Sequence, residues 1–218
     1  MNMPKLPWLK PVIFHEVKRN GVVVKVPRYR RTLADKGKRV EPEQIYEWVE
    51  KNHWPYKQDK VFLRLRDKAL IALTYLLCGR IGEVLALNRE QFKEHKNFLV
   101  VNEFIVEKNK VSPIRDPWAL PKRGRLSPFT EIILEYLKVL PKNQSKLFTI
   151  KRARAHQIVK KITGKWCHWF RAMGEAYLMR YVFKEPVKCA SALRLRRSDT
   201  LIEYVPYNWE DYAKELSA

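Results

Sequence analysis

The sequence predicts an α+β fold that is mainly helical and contains a small antiparallel three-stranded sheet. Apolar residues recur at helical spacing along most of the chain, for example at Ile133, Leu134 and Leu137. The apolar run from Phe98 to Val106 is instead rich in β-branched residues and is typical of a strand. A hydrophobic fraction of 46% provides enough apolar side chains for a packed core.

The composition divides the 218 residues into a basic N-terminal arm at 1–40 and a domain at 41–218. Nine Lys or Arg residues and one acid lie between Lys18 and Arg39. The region is interpreted as an arm or a partial hairpin with one possible short strand at Val22–Val24. A solvated tail and a DNA-contacting arm explain its charge equally well. Its candidate DNA-binding residues are Lys18, Arg19, Arg28, Arg30 and Arg31.

A buried helix is the strongest local prediction in the domain. From Ala69 to Leu77 the chain is apolar on nearly every side, which is typical of a helix packed on all faces. Gly79 is expected to end this helix in a left-handed conformation. A short helix follows from Ile81 to Leu87. An earlier helix begins at Glu41, where Pro42 and acidic residues suit a first turn.

The predicted sheet consists of Phe98–Val106, Trp118–Leu120 and Leu126–Phe129. Gly124 lies in a polar tetrad between the last two segments, which predicts a β-hairpin with Lys122 in its turn. Arg123 and Arg125 in the same turn are candidate DNA-binding residues, although a solvated basic turn is the ordinary interpretation. Further helices are expected at 130–140, 153–162, 167–181 and 188–196.

Charge identifies the class of partner. The chain has 44 Lys and Arg against 23 Asp and Glu, a net charge of +21, which favours binding to DNA or RNA. An anionic membrane surface is the competing partner, but no apolar run is long enough to span a bilayer. The three cysteines have no metal-ligand spacing and suit a reducing, cytoplasmic compartment, so no metal and no cofactor is expected.

Two arginines mark a candidate phosphate-binding site. Arg80 follows the buried helix with Glu83 three residues later, and Arg171 follows His168 at the same spacing. Taken singly, the first pair is an ordinary ion pair and the second an exposed basic edge. An unpaired guanidinium beside an apolar run is costly, so the two arginines suggest an anionic ligand. Late tyrosines complete the set at Tyr204, Tyr207 and Tyr212.

The order of these features resembles the catalytic domain of the tyrosine recombinases, the phage-integrase family. The segment from Leu65 to Leu87, with its Gly-Arg-Ile-Gly-Glu, is similar to the first family box, and His168-Trp169-Phe170-Arg171 to the second. The resemblance extends over about residues 41–218, and the second box is most like integrases of archaeal viruses and plasmids.

The resemblance implies a site-specific recombinase that cleaves and rejoins DNA strands through a 3′-phosphotyrosine, without metal or ATP. Tyr204 is the expected nucleophile. It also implies double-stranded DNA as partner, a dimer or tetramer assembled on that DNA, and action in the cytoplasm or nucleoid of a host cell. The expected catalytic residues are Arg80, Glu83, Lys122, His168, Arg171 and Tyr204, with Lys108 or Lys110 as alternatives to Lys122.

One departure from the family pattern supports a second interpretation. The family usually has a histidine or tryptophan between the second box and the tyrosine, whereas this chain reads Leu-Arg-Leu-Arg-Arg at 193–197. Arg194, Arg196 or Arg197 is then a candidate to contact DNA or to replace the missing donor. The alternative is a DNA-binding protein derived from the same fold that no longer cleaves.

Overall fold

The computed structural model describes residues 11–19, 22–29, 40–51, 60–107 and 113–195. Contacts divide the chain into two compact units, Met1–Lys38 and Arg39–Ala218. In the described parts, no helix is long and apolar enough to cross a membrane.

The first unit contains an antiparallel pair of strands, β1 (Pro11–Arg19) and β2 (Val22–Tyr29). Val17 pairs with Val24, and the last pair of the ladder is Arg19 with Val22. The single strand expected at Val22–Val24 is therefore the start of a longer strand with a partner.

The second unit is mainly helical, as predicted. Its helices in the described residues are α1 (Pro42–Lys51), α2 (Val61–Leu76), α3 (Ile81–Leu85), α4 (Ser127–Val139), α5 (Arg152–Thr163), α6 (Cys167–Tyr177) and α7 (Pro186–Ala192). A 3₁₀ turn at Arg89–Gln91 follows α3, and a π-helical segment at Leu178–Phe183 continues α6.

Helix α2 lies at the centre of the core and packs against α4 and α6. Its residues from Ala69 to Leu73 are fully buried, which confirms the predicted buried helix. The Thr74 hydroxyl in the same helix donates to the carbonyl of Leu70, so this buried polar group is satisfied within the helix. The helix begins at Val61, eight residues before the apolar run that starts at Ala69.

The end of α2 differs from the prediction. Gly79 does not adopt a left-handed conformation; Cys78 does, with φ of 49°. Gly79 is instead in a close contact, because a Cβ there would lie 2.8 Å from Cζ of Phe104 and 2.9 Å from Cγ2 of Val84. The glycine therefore allows close packing, and the left-handed turn falls on a non-glycine residue at a cost of about 1 kcal/mol.

An antiparallel sheet packs beside the helices in the order β3 (Phe92–Glu94), β4 (Phe98–Val101) and β7 (Trp118–Pro121). Leu99 and Leu120 pair across its central strands and are both buried. Between β4 and β7 the chain forms a second pair of strands, β5 (Phe104–Ile105) and β6 (Ile114–Arg115). The three-stranded antiparallel sheet is confirmed, but β3 was not anticipated as its third member.

The predicted strand at Leu126–Phe129 is wrong, and so is the hairpin that it implied. Ser127 begins α4, with Pro128 in the first turn, where the missing N–H of proline costs nothing. Gly124 has a positive φ of 81°, but it makes the turn before a helix, not the turn of a hairpin. Thr130 is buried inside α4 and does not cap it.

Candidate active site

Arg80 is held in place by Glu83 at the start of α3. The Arg80 Nη1 donates to Glu83 Oε1 at 2.7 Å, and the Arg80 backbone N–H donates to Oε2 at 2.6 Å. The backbone N–H of Glu107 donates to Oε1 from the far side at 3.1 Å. Glu83 is buried, whereas the Arg80 side chain is 28% exposed. The carboxylate therefore acts as a fixed anchor, and the guanidinium remains accessible to an anion.

Arg171 is held in the same way on α6. Its Nε and Nη2 both bind Oε1 of Glu175, at 2.8 and 2.7 Å. Both side chains are buried, with 6% and 2% of their surfaces exposed. Burial lowers the pKa of Arg171, but Glu175 outweighs this effect and the pKa is raised. These contacts with Glu175 use two of the three guanidinium nitrogens and leave Nη1 for a further acceptor.

The close packing of α6 on α2 brings the two arginines toward one site. At Gly174 a Cβ would lie 2.1 Å from the carbonyl oxygen of Tyr75, near the end of α2. Only glycine permits this approach, because backbone atoms cannot move aside as the end of a flexible side chain can. Arg171 therefore lies on the helix that contacts the end of α2, and Arg80 follows four residues after Leu76, where α2 ends.

The two arginine–carboxylate pairs act on each other electrostatically. Burial raises the pKa of Glu175, while Arg171 and, more weakly, Arg80 oppose that rise. Glu83 in turn contributes to the raised pKa of Arg171. The structure thus brings together three of the predicted site residues, Arg80, Glu83 and Arg171, and adds Glu175.

Sequence reasoning missed Glu175 and also Arg115. Glu175 is the only acid within one helical turn after Arg171, a spacing that signals contact on a helix. Arg115 lies on β6 and is 2% exposed, and its guanidinium carbon lies 4.6 Å from the ring centre of Phe104 and 4.3 Å from that of Trp118. Its sequence context, after a short strand and before Asp116 and Pro117, gave no sign of burial.

His168 lies in the first turn of α6, one turn before Arg171, and its side chain is exposed. Trp169 and Phe170 between them are buried and pack edge to face, with ring centres 5.1 Å apart. The predicted contrast between an exposed basic edge and a buried aromatic edge is therefore present. Arg171, however, belongs to the buried side and not to the exposed edge.

Lys122 lies at the opposite end of β7 from Trp118, whose indole N–H contacts the end of α2. The Lys122 ammonium binds Glu94 Oε1 at 2.5 Å and the carbonyl of His95 at 2.7 Å. Lys122 comes four residues after Trp118, which corresponds to about 13 Å along an extended chain. Its predicted hairpin position is wrong, and its catalytic role stays a prediction that this position disfavours.

The predicted DNA-binding arginines near Lys122 have different surroundings. Arg125 binds Glu41 and Glu43 at 2.7 Å and lies over the ring of Tyr181. Arg123 is exposed. Arg125 therefore joins the turn before α4 to α1, while Arg123 has the exposure that a contact with DNA requires.

Arg194 follows α7 and reaches back to the sheet. Its Nη2 binds both carboxylate oxygens of Asp116, at 3.3 and 3.1 Å. Asp116 follows Arg115 directly, so this ion pair joins the segment after α7 to the strands beside the candidate site. The predicted role of Arg194 as a phosphate or DNA contact stays a prediction.

For the remaining predicted site residues, the structure describes either the backbone alone or nothing. Only the backbone is described at Lys18, Arg19 and Arg28, on β1 and β2. The predictions that fall outside the described residues are those for Arg30, Arg31, Lys108, Lys110, Arg196, Arg197, Tyr204, Tyr207 and Tyr212. Across the described segments, no three His, Cys, Asp or Glu residues form a group able to hold a metal ion.

No protein-family model matches the sequence, and no curated protein matches it at a significant level. Solved structures do match. The XerH site-specific recombinase bound to palindromic difH substrate, in a post-cleavage complex, has a TM-score of 0.59 and 16% identity over 81% of this chain. Its pre-cleavage complex with difH gives the same score and identity over 87% of the chain. The chain spans about half of XerH, 50% and 56% in the two structures.

The XerA recombinase is a further structural neighbour, with a TM-score of 0.51 and 14% identity over 76% of this chain and 65% of XerA. At this level of identity the likeness shows the fold. The chain therefore has the mainly helical fold of these recombinases, with its small antiparallel three-stranded sheet, as the sequence resemblance implied.

Proposed function

We propose that this protein is a site-specific DNA recombinase or integrase that cleaves and rejoins DNA strands through a 3′-phosphotyrosine. The observation that carries the proposal is the pair of arginines, Arg80 and Arg171, each bound to a buried carboxylate and both close to the end of α2. The N–H groups that these two guanidinium groups still offer suit the two non-bridging oxygens of a phosphodiester. The likeness to recombinase structures supports the same function.

The arginines bind the phosphate and stabilise the charge that builds on its oxygens as a fifth bond forms. Glu83 and Glu175 hold the guanidinium groups at fixed positions before DNA arrives, so little reorganisation accompanies the reaction. Arg80 offers its Nε and Nη2, and Arg171 its Nη1, because the carboxylates occupy the other nitrogens in the described bonds.

Tyr204 is the proposed nucleophile. Its hydroxyl oxygen forms a bond to phosphorus, the bond from phosphorus to the 5′ oxygen breaks, and the tyrosine proton leaves with help from His168. A lysine donates a proton to the departing 5′ oxygen. The covalent intermediate conserves the phosphodiester bond energy, and attack by a second 5′ hydroxyl restores DNA, so no ATP is consumed.

The lysine that serves as general acid is better sought at Lys108 or Lys110 than at Lys122. Both lie in the segment that connects β5 to β6 and fall outside the described residues. Phe104 and Arg115, which pair across β5 and β6, contact the region around Gly79 and Leu77. Glu107, the last described residue before this segment, donates its backbone N–H to Oε1 of Glu83, the carboxylate that also binds Arg80.

Double-stranded DNA is the proposed substrate. The net charge of +21 suits a polyanion. Exposed cations also lie at the start of α5 and along it, in the helix that precedes the second box. These exposed residues are Lys151, Arg152, Arg154, Lys160 and Lys161. We further propose assembly as a dimer or tetramer on DNA, action in the cytoplasm or nucleoid of a host cell, and an origin in an archaeal virus or plasmid.

A second candidate is a DNA-binding protein of the same fold that does not cleave. The region that usually supplies a histidine or tryptophan reads Leu-Arg-Leu-Arg-Arg, and its Arg194 is bound by Asp116. Such a protein binds duplex DNA with a steep dependence on salt and never becomes attached to it.

Covalent trapping distinguishes the two candidates. The protein is incubated with a library of nicked suicide duplexes in EDTA, and denaturing gels measure the DNA that remains attached. We expect attachment by the wild type, and loss of most of it in Arg171→Ala, because that change removes one of the two phosphate contacts. Undiminished attachment by Arg171→Ala rules out the paired-arginine site. Tight binding without attachment on any duplex favours the non-cleaving protein.

A further inference from the structure

We propose that Arg115 is a positioning residue that fixes the end of α2 in front of Arg80, a role that rests on the proposed function of the site. Nothing in the sequence pattern or in the likeness to recombinases assigns a role to Arg115. The inference comes from where its guanidinium lies and from which backbone groups it binds.

The side chains of β6 and β7 hold the last carbonyls of α2. Arg115 Nη1 donates to the carbonyl of Leu77 at 2.8 Å, and the indole N–H of Trp118 donates to the carbonyl of Leu76 at 3.2 Å. The last carbonyls of a helix have no partner within the helix, so such side chains satisfy and orient them. The contacts thus stabilise the backbone immediately before Cys78.

Arg115 itself is held by aromatic rings. Its guanidinium lies between Phe104 and Trp118, within the range of a cation–π contact with each ring. Phe104 is also the residue whose ring excludes a Cβ at Gly79. We call Phe104, Arg115 and Trp118 the α2 clamp, because together they contact the chain from Leu76 to Gly79.

The backbone that the α2 clamp contacts has an unfavourable conformation at Cys78. Cys78 has a left-handed φ of 49°, which a side chain makes unfavourable, and Arg80 follows two residues later. The backbone N–H of Arg80 must then meet Glu83 for the arginine to be oriented. Release of the clamp allows Cys78 to relax, which moves Arg80 away from Glu83.

Burying a guanidinium at the end of a helix costs free energy, because the charged group loses its contact with water. Burial lowers the pKa of Arg115 to about 10, so the group is still a cation at neutral pH. Its Nε and Nη2 have no hydrogen-bond partner among the described residues. An apolar residue would avoid both costs. Arg115 interacts electrostatically with Glu83 and Arg171, so its charge adds to the positive field of the candidate phosphate site.

Arg89 provides a matched control within the same chain. Its Nη2 donates to the carbonyls of Leu137 and Leu140 at the end of α4, at 3.3 and 2.5 Å. Arg89→Met therefore removes the same kind of bond between a guanidinium and a helix end. Because α4 leads to Pro141 and not to a site residue, this variant isolates the general cost of such a bond.

The test compares Arg115→Met and Arg89→Met, alone and combined with Arg80→Ala, in single-turnover covalent trapping. We expect Arg115→Met to slow attachment by about 100-fold, the size of effect that a small misplacement of a catalytic group produces. Its DNA affinity should stay nearly unchanged, and it should add little to the loss caused by Arg80→Ala. Arg89→Met should attach DNA at nearly the wild-type rate.

Hydrogen–deuterium exchange separates failure of this inference from failure of the proposed function. It needs no activity, so it applies even if the wild type attaches no DNA. We expect Arg115→Met to raise exchange at amides 77–83, and Arg89→Met to leave them unchanged. Trp118→Phe keeps a ring against Arg115 but removes the donor to Leu76, and it should raise exchange there to a smaller extent.

Two results overturn the role of Arg115. One is unchanged exchange at amides 77–83 in both Arg115→Met and Trp118→Phe, which would mean that the clamp does not hold this backbone. The other is an equal loss of attachment from Arg115→Met with and without Arg80→Ala, which would mean that Arg115 acts independently of Arg80.

Discussion

Glu175 lies one helical turn after Arg171, accepts a hydrogen bond from its Nε and forms an ion pair with its Nη2 inside the core. Glu83 holds Arg80 at the start of α3 through one guanidinium nitrogen and the backbone N–H. Each proposed phosphate-binding arginine therefore has its own buried carboxylate, which sets its orientation and offsets its charge before DNA binds.

Replacement of Glu175 by glutamine should leave a buried cation without its anion. We expect Glu175→Gln to lower the free energy of unfolding by about 3 kcal/mol, the usual cost of removing one partner of a buried ion pair. Urea denaturation measures this change. Glu47→Gln is the control, because Glu47 pairs with Lys51 at the same spacing on the exposed side of α1. Equal stability of the two variants would contradict a structural role for the Arg171–Glu175 pair.

Gly174 should tolerate no side chain. In Gly174→Ala the new Cβ would meet the backbone of Tyr75, so α6 must move away from α2 at a cost of about 2 kcal/mol. Thermal unfolding measures the loss. Gly82→Ala is a matched control, because its Cβ would meet only the movable ends of Arg152 and Glu107. A Gly174→Ala protein as stable as Gly82→Ala would show that the two helices are less closely packed.

The general acid can be identified through the leaving group. A duplex with sulfur in place of the 5′ bridging oxygen releases a thiolate, which needs no proton. We expect Lys108→Ala or Lys110→Ala to slow attachment to ordinary DNA and to recover on the sulfur-containing duplex. Lys122→Ala should behave as the wild type on both substrates, because Glu94 and the carbonyl of His95 already bind that lysine. If Lys122→Ala were slow on ordinary DNA and normal on the sulfur-containing duplex, Lys122 would be the general acid.

The three cysteines should be unreactive in the folded protein. Burial raises the pKa of Cys167 and Cys189 to about 12 and that of Cys78 well above its ordinary value. The thiolate, which is the reactive form, is therefore scarce at pH 8. We expect a colorimetric disulfide reagent to label three thiols only after denaturation. Rapid labelling of the native protein at pH 8 would contradict the burial of these side chains.

Some of this arrangement was predictable from the sequence because its signals are local. The apolar run from Ala69 to Leu77 predicted a buried helix, and the spacing of Arg80 with Glu83 predicted their contact. Both depend on residues within a turn or two of each other. The partial hairpin expected in the N-terminal arm also depends on nearby residues, because β1 and β2 pair on either side of the Asn20-Gly21 dipeptide.

Other features depend on contacts between distant parts of the chain. The segment Leu126–Phe129 has the composition of a strand, but Pro128 suits the first turn of a helix that packs on α2. Gly79 was expected to make a left-handed turn, whereas the ring of Phe104 requires its lack of a side chain. Arg115 contacts Leu77 across 38 residues of sequence, and no local pattern indicates that bond.

The most direct test of the proposed recombinase mechanism identifies the residue that becomes attached to DNA. Adducts trapped on nicked suicide duplexes in EDTA are digested, and mass spectrometry locates the modified peptide. We expect a nucleotide on Tyr204, with no adduct from Tyr204→Phe and normal adduct from Tyr207→Phe and Tyr212→Phe. Attachment at another residue, or full attachment by Tyr204→Phe, would contradict it.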